Sequence, residues 1–292
     1  MSTTELITIA QGKEFDRSLL QHIVIKDRIE SLLEDMNLEP LQMHGELHIG
    51  DAKRRENIFH ASEIGSLTGK TLDGNYPMGC GRALYYGYTG ASIERSFDPR
   101  LRRIFDTGSA IHLQLQLYLA AYAKKHKKTE KFEDEVKICP ENNPMADKYD
   151  ISAHMDGLYE VNTPVSHIRA GVEIKTINTD GFKGTSSPHA EHMIQGTVYQ
   201  ACLDLPVMIF LYYNKNDSSL AEYVMEFDDH RWCAIIDKLD YVRDCAMSKK
   251  EPKQEIGFGC KNCKYAKICK PPGKTRSPLA STVFRSNKRK ED

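Results

Sequence analysis

The chain has 292 residues, with 40 Lys and Arg against 41 Asp and Glu, a net charge of −1, 40% hydrophobic and 28% charged residues. That length buries one sizeable core with terminal elaborations, the mix is ordinary for a soluble globule, and the charge balance gives no global pull toward nucleic acid. No apolar run approaches the roughly 20 residues that span a bilayer, and the start lacks a secretory pattern; a membrane partner is not expected, and a cytoplasmic setting is (host cytoplasm if virus-encoded).

In chain order, periodicity predicts a helix over 14–36, with Leu19, Leu20, Ile23, Ile25, Ile29, Leu32 and Leu33 apolar. Residues 57–100 include Met78-Gly79-Cys80-Gly81-Arg82-Ala83-Leu84-Tyr85-Tyr86. Tyr85, Tyr86 and Tyr88 are read as core first and as base-stacking residues second. A helix follows over 105–125, with Ile111, Leu115, Leu119 and Tyr122 as its stripe. Gly108 and His112, four apart, share a face, and the glycine lets a strand come close. Strands are predicted over 132–138, 150–161 and 168–178, the last two joined by a hairpin at Pro164. A helix over 188–203, strands over 206–214 and 219–227, and a helix over 229–248 complete a mixed α/β core. Arg100, Arg102, Arg103, the 124–128 run and a basic tail with Arg285, Lys288, Arg289 and Lys290 are local patches able to track phosphates, or simply solvated faces.

The chemistry concentrates in the hairpin. Asp156-Gly157 on one strand and Glu173-Ile174-Lys175 on the next place two carboxylates and an amine together. Residues i and i+2 share a strand face, so Glu173 and Lys175 point one way and Ile174 into the core. Hard oxygen ligands suit Mg²⁺ or Mn²⁺, which position water and neutralise phosphate. Asp-Gly is also a common turn and Glu-x-Lys a common solvated pair. His112 upstream, and Gln195 and Tyr199 at i and i+4 downstream, add ligand and support chemistry in one order. Cys260, Cys263 and Cys269 form a C-x2-C-x5-C knuckle, with Cys80 as a distant fourth. Four thiolates hold zinc or an iron–sulfur cluster, and the missing second pair favours the cluster. Cys139, Cys202, Cys233 and Cys245 are read as buried bystanders.

The order Gly-x-x-x-His, Asp-Gly, Glu-x-Lys, Gln-x-x-x-Tyr resembles the RecB-like branch of the PD-(D/E)XK nuclease superfamily. Cys80-Gly81-Arg82-x-Leu84-Tyr85-Tyr86 with the C-terminal trio resembles its iron–sulfur members, the CRISPR-associated exonucleases and AddAB-type nucleases. The resemblance spans 80–269 and implies a restriction-endonuclease-like core: a central mixed sheet flanked by helices, with an iron–sulfur-closed subdomain. It further implies that His112, Asp156, Glu173 and the Ile174 carbonyl hold Mg²⁺ or Mn²⁺. Lys175 would orient water and stabilise phosphate charge, and Gln195 and Tyr199 would support the site and touch substrate. Cys80, Cys260, Cys263 and Cys269 would hold a 4Fe–4S cluster, with zinc as the alternative. The family often has proline after its first cysteine, where this chain has Gly81.

The expected organisation is a helical arm (1–56), the first cluster-cysteine segment (57–104), the nuclease core (105–250), the knuckle (251–273) and a flexible basic tail (274–292). The expected function is a divalent-metal-dependent deoxyribonuclease, an exonuclease on single-stranded DNA or DNA ends, with a helicase, recombination or replication partner. The alternatives are a non-catalytic DNA-end-binding or helicase-partner module and a zinc-stapled enzyme acting on RNA.

Overall fold

In a computed structural model, residues 16–34, 55–66, 69–92 and 99–269 are described. The basic tail, residues 93–98 and the outer parts of the expected N-terminal arm lie outside them. A mixed sheet forms the centre. Strand β4 (Glu130–Ile138) pairs antiparallel with β5 (Ile151–Asn162), which turns through Pro164 into antiparallel β6 (His167–Ile177). A crossover through the Ala190–Leu203 helix brings β7 (Val207–Asn214) parallel to β6, and β8 (Leu220–Glu226) pairs antiparallel with β7. A short β1 (Phe59–His60) adds in parallel at the start of β5, and β2 (Gly69–Lys70) pairs antiparallel with β3 (Pro77–Met78) in a separate ribbon.

Alternation along the strands builds two cores. Ala170, Val172 and Ile174 of β6 and Val207, Ile209 and Leu211 of β7 face one side, under Leu115, Leu119 and Ala123 of the Pro99–Lys125 helix and Ile25 and Ile29 of the Ile25–Leu33 helix. Met208, Phe210 and Tyr212 face the other, against Ile194 and Val198 of the crossover helix and Ile235 and Leu239 of the Asp229–Met247 helix. The sheet is thus covered on both faces, and β7 reads as a nearly continuous apolar run for that reason. No helix among the described residues is long and apolar enough to cross a membrane.

One expectation is corrected. The helix predicted over 14–36 is, within the described residues, a 3-10 turn (Arg17–His22) and a separate helix (Ile25–Leu33), because Ile23 and Val24 leave helical geometry between them. Arg28 holds that break: its guanidinium donates to the carbonyls of His22 (2.7 Å) and Val24 (2.9 Å) and forks onto Glu130 at 2.8 and 2.9 Å. Tyr86 and Tyr88 take the core reading given first for them and not base stacking. Both are buried, and their hydroxyls bond Glu251 (2.9 Å) and Asp150 (3.1 Å).

The Arg28–Glu130 pair is about one-tenth exposed on each side and also receives the Tyr159 hydroxyl. Burial opposes the Arg28 charge, yet Glu130 outweighs it and raises the guanidinium pKa. Glu130→Ala is therefore expected to strand a buried cation and cost about 3–5 kcal/mol, read from the urea midpoint. An unchanged midpoint would mean that the N-terminal helix is not anchored through this pair.

Candidate active site

The ladder between β5 and β6 ends at Gly157–Val172. Past it β6 stays with β7 while β5 runs on toward β1, and Asp156 is the first residue in the gap. Its Oδ2 accepts the Ile174 N–H at 2.6 Å, and its Oδ1 lies 3.1 Å from His112 Nδ1. The carboxylate thus replaces the missing ladder partner and aims at the helix above. That helix reaches the sheet because residue 108 is glycine: a Cβ there would press within 3.3 Å of Thr176 Oγ1.

Glu173 and Lys175 share the opposite strand face, and Lys175 Nζ donates to Glu173 Oε1 at 2.7 Å and to Gln195 Oε1 at 3.1 Å. Gln195 Nε2 donates to the Tyr199 hydroxyl (2.5 Å), which donates to the His154 carbonyl (2.8 Å). The i, i+4 pair on the crossover helix is a brace running from the lysine back to β5. The structure therefore gathers His112, Asp156, Glu173, Ile174, Lys175, Gln195 and Tyr199 around the fork where β5 and β6 part in the middle of the sheet.

The electrostatics show what the site lacks. Burial raises the Glu173 carboxyl to about 7; Lys175 opposes that rise and nearby Asp156 adds to it. Its Oε2 is buried without a hydrogen-bond partner. Burial disfavours the Lys175 charge, but Glu173 wins and keeps it an ammonium. His112 is likewise raised: Asp156 overcomes its burial. Two carboxylates, a neighbouring imidazole and an orphaned buried oxygen fit a hard divalent cation.

Gln116 and Glu135 were not anticipated. Gln116 Nε2 donates to the Asp156 carbonyl and to Glu135 Oε1, each at 2.8 Å. Glu135 lies level with Asp156 across the β4–β5 ladder, between the pairs Asp134–Gly157 and Val136–Met155, at φ 49°. A non-glycine residue there is strained. Gln116 could have been found, since it continues the Gly108, His112 spacing by four. Glu135 could not, because it depends on strand register. A cleft of about 340 Å³ opens beside His112, lined by Ile104, Phe105, Gly108, Ser109, Thr176 and Lys215.

Outside this site, Cys80, Cys260, Cys263 and Cys269 line one small cavity with Arg82 and Tyr86. Burial raises the Cys263 thiol, and the other three cysteines add to the rise. Donors already aim at these sulfurs: Gly257 N to Cys260 Sγ at 3.4 Å, Gln254 Nε2 to Cys269 Sγ at 3.4 Å and Arg82 Nη1 to Cys269 Sγ at 3.9 Å. Gly81, in place of proline, lets its N–H reach Glu255 Oε1 at 2.8 Å, where a Cβ would lie within 2.9 Å of the same oxygen. Cys139 and Cys202 are buried, and Cys233 and Cys245 half-buried.

No protein-family model matches the sequence, and none of the curated proteins does. Among solved structures, the chain is similar to SSO0001, at 16% identity over 86% of this chain and 96% of that one, TM-score 0.42. It is also similar to an alkaline exonuclease (LHK-Exo) from Laribacter hongkongensis, at 18% identity over 67% and 90% of the two chains, TM-score 0.44. The same exonuclease in complex with dAMP gives 18% identity over 66% and 89%, TM-score 0.44. At these values the chemistry is read from the residues of this chain alone.

Proposed function

We propose that this chain is a divalent-metal-dependent deoxyribonuclease with a restriction-endonuclease-like core of the RecB-like kind, acting as an exonuclease on single-stranded DNA or DNA ends. The observation that carries the reading is the His112–Asp156 pair at 3.1 Å in the field of Glu173, whose Oε2 is buried without a hydrogen-bond partner and whose Oε1 holds the Lys175 ammonium at 2.7 Å. His112, Asp156, Glu173 and the Ile174 carbonyl would hold Mg²⁺ or Mn²⁺, which acidifies water and neutralises phosphate charge when bound.

The protein's own groups supply the rest. Lys175, held as an ammonium and braced by Gln195, presents a proton donor to a water or to a non-bridging phosphate oxygen. Without a metal, Glu173 and Asp156 keep it charged, and a dication on those carboxylates would lower its pKa toward the role of base. Gln116 fixes the Asp156 backbone, so the carboxylate does not drift when its bond to His112 is exchanged for a ligand. In the adjoining cleft, half-exposed Phe105 faces the same space as Lys215, a pairing suited to a base and its phosphate. For the four cysteines we infer a 4Fe–4S cluster. Three cysteines in one knuckle with no second pair, and a fourth from far upstream lining the same cavity, favour the cluster over zinc. A helicase or recombination partner and a cytoplasmic setting belong to the same proposal.

The test is cleavage of end-labelled single- and double-stranded DNA with Mg²⁺, Mn²⁺ or EDTA. Metal-dependent ladders from one end are expected; tight binding with no cutting under any metal would leave a DNA-end-binding module instead.

Thermal stability gives a second prediction. Glu173 is raised in the fold, so between its unfolded value and about 7 the folded state holds a proton the unfolded chain lacks, and the metal-free fold loses stability as pH rises through that window. Metal binding needs Glu173 ionised and His112 neutral, and both shifts act the same way. The stabilisation on adding Mn²⁺, read as a rise in Tm, should be small near pH ~5.5 and full near pH ~8, where a hundredfold excess over Kd contributes about 2.7 kcal/mol. A shift independent of pH would remove Glu173 from the ligand set.

A further inference from the structure

We propose that His189, Glu191 and His192 form a second cation site, for an imidazole-preferring dication of the Zn²⁺ class, separate from the His112, Asp156 and Glu173 centre. The three residues open the crossover helix, with His189 as its N-cap, and one ligand atom from each lies within 4.8 Å of the others.

Hydrogen bonding leaves the required lone pairs. Thr185 Oγ1 donates its only proton to the Gly181 carbonyl at 2.7 Å, so at 3.0 Å it accepts from His189 Nε2. His189 therefore carries its proton on Nε2, and Nδ1 is bare. His192 is fixed through its other nitrogen: Nδ1 sits 2.6 Å from the Tyr212 hydroxyl, which also accepts the His189 backbone N–H at 3.0 Å. His192 Nε2 faces Glu191 Oε1 at 3.6 Å, too far for a hydrogen bond. The rings stack at 5.2 Å and 15°. A cation bound between His189 Nδ1, Glu191 and His192 Nε2 places the His192 proton on Nδ1, donating to the Tyr212 oxygen. That is the outer-shell arrangement that orients metal-bound histidines.

The donor set chooses the metal. Two imidazole nitrogens and one carboxylate suit zinc with a fourth position open, whereas Mg²⁺ prefers oxygen. The helix N-terminus opposes a cation, and the Glu191 carboxylate offsets it.

Zinc-edge anomalous diffraction from crystals of the full chain grown with Zn²⁺ tests the site directly. A peak bonded to both imidazoles and Glu191 is expected. Ordered side chains with no peak there would overturn the proposal, even if zinc appears among the cysteines or beside Asp156. In solution, competition against a chromophoric chelator should show one Zn²⁺ fewer in Glu191→Gln, whose side chain is 40% exposed and spares the fold. Tyr212→Phe should weaken that ion about 10–100-fold, while Asp156→Asn should leave it in place. Equal zinc stoichiometry and affinity in wild type, Glu191→Gln and Tyr212→Phe would sink the idea. No readout needs DNA cleavage, so failure here is separate from failure of the nuclease proposal.

Discussion

Asp156→Asn is expected to lower the single-turnover cleavage rate by about 10²–10³-fold or more while leaving DNA binding and the melting temperature close to wild type. The substitution is chosen for what it keeps. Asparagine retains an oxygen for the Ile174 N–H, now met by Asp156 Oδ2 at 2.6 Å, so the gap between β5 and β6 stays closed. It removes the negative charge from the position where a cation has to be shared with Glu173. Lys175→Met is expected to be equally inactive but less clean. It leaves Glu173 buried with neither oxygen paired to a cation, and loss of one partner from a buried pair costs about 3–5 kcal/mol. Cleavage at the wild-type rate by Asp156→Asn would move the chemistry away from this fork in the sheet. Loss of activity together with loss of DNA binding would make the residue an anchor for substrate rather than for metal.

The parts of this site legible in the sequence are those carried by regular elements. Glu173 and Lys175 share a face because a strand has period two, and Gln195 and Tyr199 share one because a helix brings i and i+4 together. Their contacts, Lys175 to Glu173 and Gln195 to Tyr199, are local consequences of that spacing. The main strands and long helices were legible for the same reason: apolar runs bounded by Pro164, Pro188 and Pro206. Residues that act through register were hidden. Glu135 matters because it stands level with Asp156 at positive φ, and Tyr212 because its hydroxyl meets two histidines from another element; within Val207–Asn214 it reads as one more core residue. The break between Arg17–His22 and Ile25–Leu33 was hidden too, since Arg28 makes it through carbonyls and a strand carboxylate a hundred residues away. Short helices such as Pro144–Tyr149 and Thr179–Gly184 are capped by Asn143 and Asn178 but are too brief to show a period.

Cys263→Ala is expected to reduce bound iron and the brown visible absorption of anaerobically purified protein to background, and to open 251–269 to protease. Cys263 is the member of the set on which the other three thiols act electrostatically, so its loss leaves three sulfurs with no fourth corner. A second tie runs through the same place without any metal. Glu255 Oε1 accepts from buried Lys238 Nζ (2.5 Å) and from Gly81 N (2.8 Å), and its Oε2 from Lys70 N (3.1 Å). The two ties predict different failures. Cys263→Ala should lose cluster and local order while the sheet and its long helices still melt cooperatively. Glu255→Ala should strand the Lys238 ammonium, whose side chain is 2% exposed, and destabilise the Asp229–Met247 helix and the whole fold by about 3–5 kcal/mol. Iron retained in Cys263→Ala would remove that thiol from the ligand set. A colourless wild type holding one zinc per chain, lost in the variant, would replace the cluster with a zinc staple and leave the nuclease centre untouched.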